Sequence, residues 1–154
     1  MNASELSATR FVQPSSTTDS FQAWVNQQPL NVTSLLAAST LRPELGIAPS
    51  HWICKVIAEG KVAGKRASIG LFFDRNLLPG TYDILANPQI NFVYSQTPHC
   101  KSVIYHSAHF QAGHLTLLES DIPGQRLQGQ FSFSISAINF AVTDGAFDVH
   151  CQPF

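Results

Sequence analysis

Charge is scarce in this chain. Only 12% of its 154 residues are Asp, Glu, Lys or Arg, about half the usual share. They sum to a net charge of −1, so there is no electrostatic footprint for nucleic acid or for an anionic membrane. No apolar run approaches the roughly 18 residues of a spanning helix, so no transmembrane segment is expected. Cysteine is limited to Cys54, Cys100 and Cys151. An odd count without Cys-x-x-Cys fits a reducing compartment better than a disulfide scaffold. The stretch Met1–Ser7 lacks both a basic and an apolar region, so no secretory signal is expected. The expected location is cytoplasmic, or exported without a classical signal peptide. Phosphate-cradling glycine loops, Walker sequences, EF-hand loops and the Gly-x-Ser-x-Gly elbow are all missing, and no cofactor is predicted.

What is present belongs to a β protein: eleven Phe against one Met, with many Ser, Thr and Gly. The clearest pattern lies in Val103–Cys151. Phe131, Phe133 and Ile135 alternate with Ser132, Ser134 and Ser136, the mark of a half-buried strand. Ile138, Phe140 and Val142 repeat it, as do Phe147, Val149 and Cys151. Asp144-Gly145 between the last two runs is a favoured pair for a type I′ hairpin turn. That turn would set Val142 opposite Phe147, Phe140 opposite Val149 and Ile138 opposite Cys151, all on one apolar face. A second turn at Ser136-Ala137 would add Phe131, Phe133 and Ile135. The competing reading is one longer bent strand with a bulge, in which Gly145 alone takes positive φ.

In chain order, residues 1–20 read as a flexible N-terminal arm and 21–154 as a single all-β domain. Phe21–Val25 is a first strand. Ser34–Leu41 fits a short helix or a strand, and Pro43, Gly46 and Pro49 mark a loop. His51–Glu59 and Arg66–Asp74 form a hairpin around Gly60–Gly64, with Ala67, Ile69, Leu71 and Phe73 on one face. Pro79-Gly80 turns into Thr81–Leu85. Ile90, Phe92 and Tyr94 share a strand face. Val103–His106 and Gly113–Leu118 follow, and Pro123-Gly124 is another turn. Eight to ten short strands at this spacing predict an antiparallel β-sandwich or flattened β-barrel.

Several of these features occur in a fixed order: Ile69-Gly70-Leu71-Phe72-Phe73, Pro79-Gly80-Thr81-Tyr82-Asp83-Ile84, the Phe92/Tyr94 strand, Gly113-His114-Leu115-Thr116-Leu117, Gly129-Gln130-Phe131-Ser132-Phe133 and Val142-Thr143-Asp144-Gly145-Ala146-Phe147-Asp148-Val149. Over roughly Arg66–Val149 the chain resembles a group of small all-β domains of unknown function found mostly in bacterial secreted lipoproteins. The resemblance implies the fold. The group has no assigned catalytic residues to carry over, and its signal peptide and lipobox cysteine have no counterpart in this chain.

Chemistry-bearing residues are few. His51-x-x-Cys54, His99-Cys100 and His150-Cys151 offer zinc-ligand types, but adjacent strand residues face opposite ways and a structural site wants four convergent ligands, so no metal is predicted. A Cys100–Cys151 disulfide would require export. His106, Ser107, His109, His114 and Asp121 cluster in sequence, yet His106 and Ser107 should diverge, and no catalytic set is predicted. Among the carboxylates Asp74, Asp83, Glu119, Asp121, Asp144 and Asp148 nothing marks a glycosidase pair. Asn31-Val32-Thr33 is a glycosylation sequon. Lys55, Lys61, Lys65 and Arg66 read as a solvated hairpin tip, and Ser132, Ser134 and Ser136 as a solvated stripe. The preferred function is a non-enzymatic binding or protein-interaction module, with loops Ser95–Ser102 and Leu118–Gln125 as candidates. The alternatives are a carrier of a lipophilic small molecule or a barrel-type enzyme with a Phe-lined cavity, and a structural subunit or homodimer pairing through a sheet edge.

Overall fold

The computed structural model describes residues 19–42, 51–87, 89–97, 103–121 and 126–153. They form strands β1 (Ser20–Val25), β2 (Gln28–Arg42), β3 (His51–Val62), β4 (Lys65–Asp74), β5 (Gly80–Asp83) and β6 (Asn91–Thr97). After these come β7 (Val103–His106), β8 (Ala112–Asp121), β9 (Arg126–Ile135), β10 (Phe140–His150) and β11 (Gln152–Pro153). The predicted all-β fold is what the chain adopts. Ten strands run antiparallel in one curled sheet, a half-barrel in the order β5-β8-β9-β10-β1-β2-β3-β4-β6-β7, and β11 pairs parallel with β2. The 15-residue β2 settles Ser34–Leu41 as strand.

Alternation explains the fold. Each strand turns one parity inward, and the inward residues of the two halves of the sheet meet as a ring-packed core. Phe92 of β6 lies 5.8 Å from Phe131 and 5.6 Å from Phe133, both on β9. Phe73 of β4 lies 6.5 Å from Phe147 of β10, and Phe140 packs on Tyr94 and Tyr105 at 4.9 and 4.8 Å. Each such pair adds about 0.5–1.5 kcal/mol beyond its buried area. Phe131, Phe133, Phe140, Val142, Phe147 and Val149 are all buried, as their shared parity predicted. The Tyr94 hydroxyl donates to Gln96 Oε1 at 2.8 Å, and burial, aided by Tyr105, pushes its pKa up to about 12.

Three expectations for the C-terminal third are corrected. First, Asp144-Gly145 is not a hairpin turn: β10 runs unbroken through it, so Val142 and Phe147 lie in line on one strand. The bulge reading is right in topology, because the β9–β10 register slips between Phe131↔Gly145 and Phe133↔Val142. Second, the residue with positive φ is Asp144 (52°), whereas Gly145 has none. Asp tolerates the left-handed region better than most side chains. Gly145 is needed for space, since a Cβ there would meet the Phe131 ring at 2.5–2.6 Å. Third, the turn expected at Ser136-Ala137 is present, as 3-10 helix over Ser136–Ile138 closed by Asn139 at φ 54°, but Ile138 lies within it rather than on the strand that follows. Ile138 therefore leaves the apolar face and is 52% exposed.

Smaller differences have equally local causes. β5 stops at Asp83, whose Oδ1 accepts the Leu85 N–H at 2.9 Å, and Leu85 is exposed. An unforeseen two-residue turn, Asn26-Gln27, links β1 to β2 with φ of 49° and 68°. Asn26 holds it by exchanging two hydrogen bonds with the Ala141 backbone at 2.8 and 2.9 Å. The β3–β4 hairpin is as expected, with its tip at Ala63-Gly64. Lys55 lies in mid-strand opposite Phe72, away from that tip. The N-terminal arm through residue 18, the 43–50 loop, Pro123-Gly124, His99 and Cys100 lie outside the described residues.

Candidate functional site

The curl of the sheet leaves each half with an outward face, and the two faces carry different chemistry. On the β2-β3-β4-β6 half, Leu36 pairs with Ile57, Ile57 with Gly70, and Gly70 with Val93. Paired residues of an antiparallel ladder share a face, so these form one row across four strands, about 14 Å wide at normal strand spacing. Their sequence neighbours on β3, β4 and β6 point into the core, which fixes the row as outward. Leu36 is 41% exposed, and Ile57, Val93 and Phe72 are partly exposed. The Phe72 ring lies over Gly70, close enough that a Cβ there would meet it at 2.9 Å. On edge strand β7 the row ends at the exposed His106, the partner of Val93, while Ile104, 55% exposed, lies on the same face beside Ser95. Charge flanks the row on both sides. Read outward, β3 carries Ile53, which is buried, then Lys55, Ile57, Glu59 and Lys61, while β4 presents Arg66, Ser68, Gly70, Phe72 and Asp74.

The β5-β8-β9-β10-β1 half is mostly polar outside, with Leu118 of β8 and Trp24 of β1 as its exposed large apolar residues. Its middle row is Thr81, Thr116, Gln130, Ala146 and Gln22. Thr81 and Thr116 share a hydroxyl hydrogen bond of 3.0 Å, and Ser132 bonds His114 Nδ1 at 3.0 Å. Arg126 clamps Asp148 with bonds of 3.0 and 2.7 Å, holding that carboxyl below its usual pKa range. A shallow groove of about 450 Å³ runs over Gln130, Ser132 and the Asp144 bulge.

A thiol cluster occupies one end of the interior. Ser39 on β2 pairs with Cys54 on β3, and the parallel pairing of β11 with β2 brings in Cys151 from the other side. Ser39 Oγ lies 3.5 Å from Cys151 Sγ, and the two thiols, both free and buried, face one another. The Cys54 thiol supports the charged form of Cys151, which is pulled down to about 7 with help from Ser39 and Arg75. Cys54, in contact with Cys151 and buried, is pushed up. Arg75 lies over the Trp52 ring at 5.2 Å, and its Nε is buried without a hydrogen-bond partner.

The residues singled out by sequence separate differently. His150 turns away from Cys151 and bonds Asp19 Oδ1 at 2.9 Å. Ser107 caps the Phe92 backbone, accepting its N–H at 2.8 Å, while the His106 and His109 rings lie 4.2 Å apart, tilted by 51°, on the surface. His114 belongs to the polar outer face. The side chains of His51 and Asp121 and the tips of both candidate loops lie outside the described residues. Among the described residues no three His, Cys, Asp or Glu side chains gather as a metal site, and no helix is long and apolar enough to cross a membrane. The Cys54–Cys151 meeting had no local signal, since it depends on β2 lying between two strands distant in sequence. The outward apolar row was readable only by subtraction, as the residues left over from the inward parity.

Comparison with protein-family models, curated proteins and solved structures found no match. The fold defines the class: an all-β, curled antiparallel half-barrel.

Proposed function

We propose that the protein is a non-enzymatic protein-interaction module that docks through the outer face of β2-β3-β4-β6. One observation carries this reading: the row Leu36–Ile57–Gly70–Val93, with Phe72 beside it, faces outward on a sheet whose core is built on the opposite side. Monomeric proteins rarely leave a contiguous apolar patch without a use for it. The interior supports the same reading over a carrier, because the core phenylalanines among the described residues pack ring against ring. A photo-crosslinking residue placed at position 57, and as a control at position 130, tests it in the cells that make the protein. The expected result is a covalent adduct with a second polypeptide chain at 57 and none at 130. No adduct at 57, or equal adducts at both positions, would refute docking through this face.

A further inference from the structure

The face has a property beyond being apolar: four of its charges are antisymmetric about its own middle row, and Lys61, whose mirror position is the apolar Ile53, is the exception. On β3, Lys55 and Glu59 stand two residues to either side of Ile57. On β4, Arg66 and Asp74 stand four residues to either side of Gly70, which is the partner of Ile57. We propose that the occupant of this face is a second copy of the chain, packed face to face about a two-fold axis; this rests on the docking reading above.

The axis lies between the two sheets, along the row Leu36–Ile57–Gly70–Val93. A rotation of 180° about that line keeps each strand above its own counterpart and reverses its direction. Positions on the axis then meet themselves, apolar on apolar: Leu36 on Leu36, Ile57 on Ile57, Val93 on Val93. Off the axis, each residue meets the one equally far on the other side. Lys55 faces Glu59 of the second copy and Arg66 faces Asp74. Every such contact occurs twice, as an isologous interface requires. Sheets packed in this way sit about 10 Å apart, within reach of Lys, Arg and Glu side chains. The polar face cannot do the same. Its middle row is amide and hydroxyl, and on β10 Asp144 and Asp148 flank Ala146, so the same operation would set carboxylate against carboxylate. The apolar row is narrow, so the dimer is a modest one, with a dissociation constant on the order of micromolar.

Sedimentation velocity of the purified protein over a concentration series is the test, with melting temperature confirming that each variant is folded. Wild type should pass from monomer to dimer as concentration rises. Lys55→Glu alone, or Glu59→Lys alone, creates two like-charge pairs across the axis and should weaken association by roughly tenfold or more. The double variant restores both pairs and should return association to within about threefold of wild type. Arg66→Asp, Asp74→Arg and their combination give an independent second cycle on β4. A wild type that stays monomeric at all concentrations, or double variants no better than the singles, would overturn the dimer. If position 57 then still crosslinks a different polypeptide, only the choice of partner is wrong and the docking reading stands. A crosslink confined within one chain would place the chain's own residues on the face and overturn both.

Discussion

The two halves of the sheet are built alike inside and differ outside. Inward, both use large apolar residues in period two, and their rings meet in one core. Outward, β5-β8-β9-β10-β1 alternates those residues mostly with Thr, Gln and Ser, Leu118 and Trp24 excepted, whereas the middle of β2-β3-β4-β6 alternates them with Leu36, Ile57, Phe72 and Val93 between flanking charges. The first pattern is what a solvated sheet face needs. The second is the pattern of strands covered on both sides. Inward alternation secures the fold, and the residues in between set the chemistry of each outer face.

Because the interior is shared, damage there should fall on both halves together. Phe133 touches rings from β6, β9, β10 and the segment before β8. Phe133→Ala should cost about 3–5 kcal/mol by chemical denaturation in a single transition. Two separate transitions would show that the halves fold apart and that the shared core is wrong.

Next in size is the β10 bulge. Gly145→Ala drives a Cβ into the Phe131 ring and should cost about 1–3 kcal/mol, the usual range for overpacking. Asp144→Asn keeps a residue suited to positive φ and should be nearly neutral. The reverse ranking would mean that backbone conformation rather than space dictates the glycine.

The thiol end gives a pH-dependent test. Alkylation of Cys151 in the folded protein should rise with a midpoint of about 7, while Cys54 stays protected until unfolding. The sign for stability follows. Cys151 ionises more readily folded than unfolded, so its contribution is present above the ordinary thiol pKa and is lost as pH falls through about 7. Cys54 acts oppositely and costs stability once pH passes the ordinary thiol range, because the unfolded thiol can ionise and the folded one resists. Equal alkylation of both thiols in the folded protein would contradict the cluster.

The smallest effects separate the two outer faces. Gln130→Ala and Ile57→Thr, measured in dilute protein, should each change unfolding free energy by only about 0.5 kcal/mol. Their effects on association should nevertheless differ, with Ile57→Thr weakening it and Gln130→Ala leaving it unchanged.

Parity was legible in the sequence wherever alternation was clean, so the buried faces of β4, β6, β9 and β10 could be named from residues alone. Asp144-Gly145 was misread because a two-residue turn and a bulge carry the same local signal between alternating runs. The Phe131 ring on the neighbouring strand decides between them, and no local window contains it. Ile138 was misplaced for a similar reason: parity continues through it on paper, but Asn139 turns the chain. The apolar outer row and the thiol cluster depend on which strands are neighbours, and alternation assigns faces without assigning neighbours.

The direct test of the difference between the faces is a dilution series followed by methyl NMR. The methyl signals of Leu36, Ile57 and Val93 should shift together as the protein is concentrated, while those of Ala141 and Ala146 on the polar face stay fixed. Signals from Leu36, Ile57 and Val93 that ignore concentration, or Ala146 moving in their place, would contradict the account.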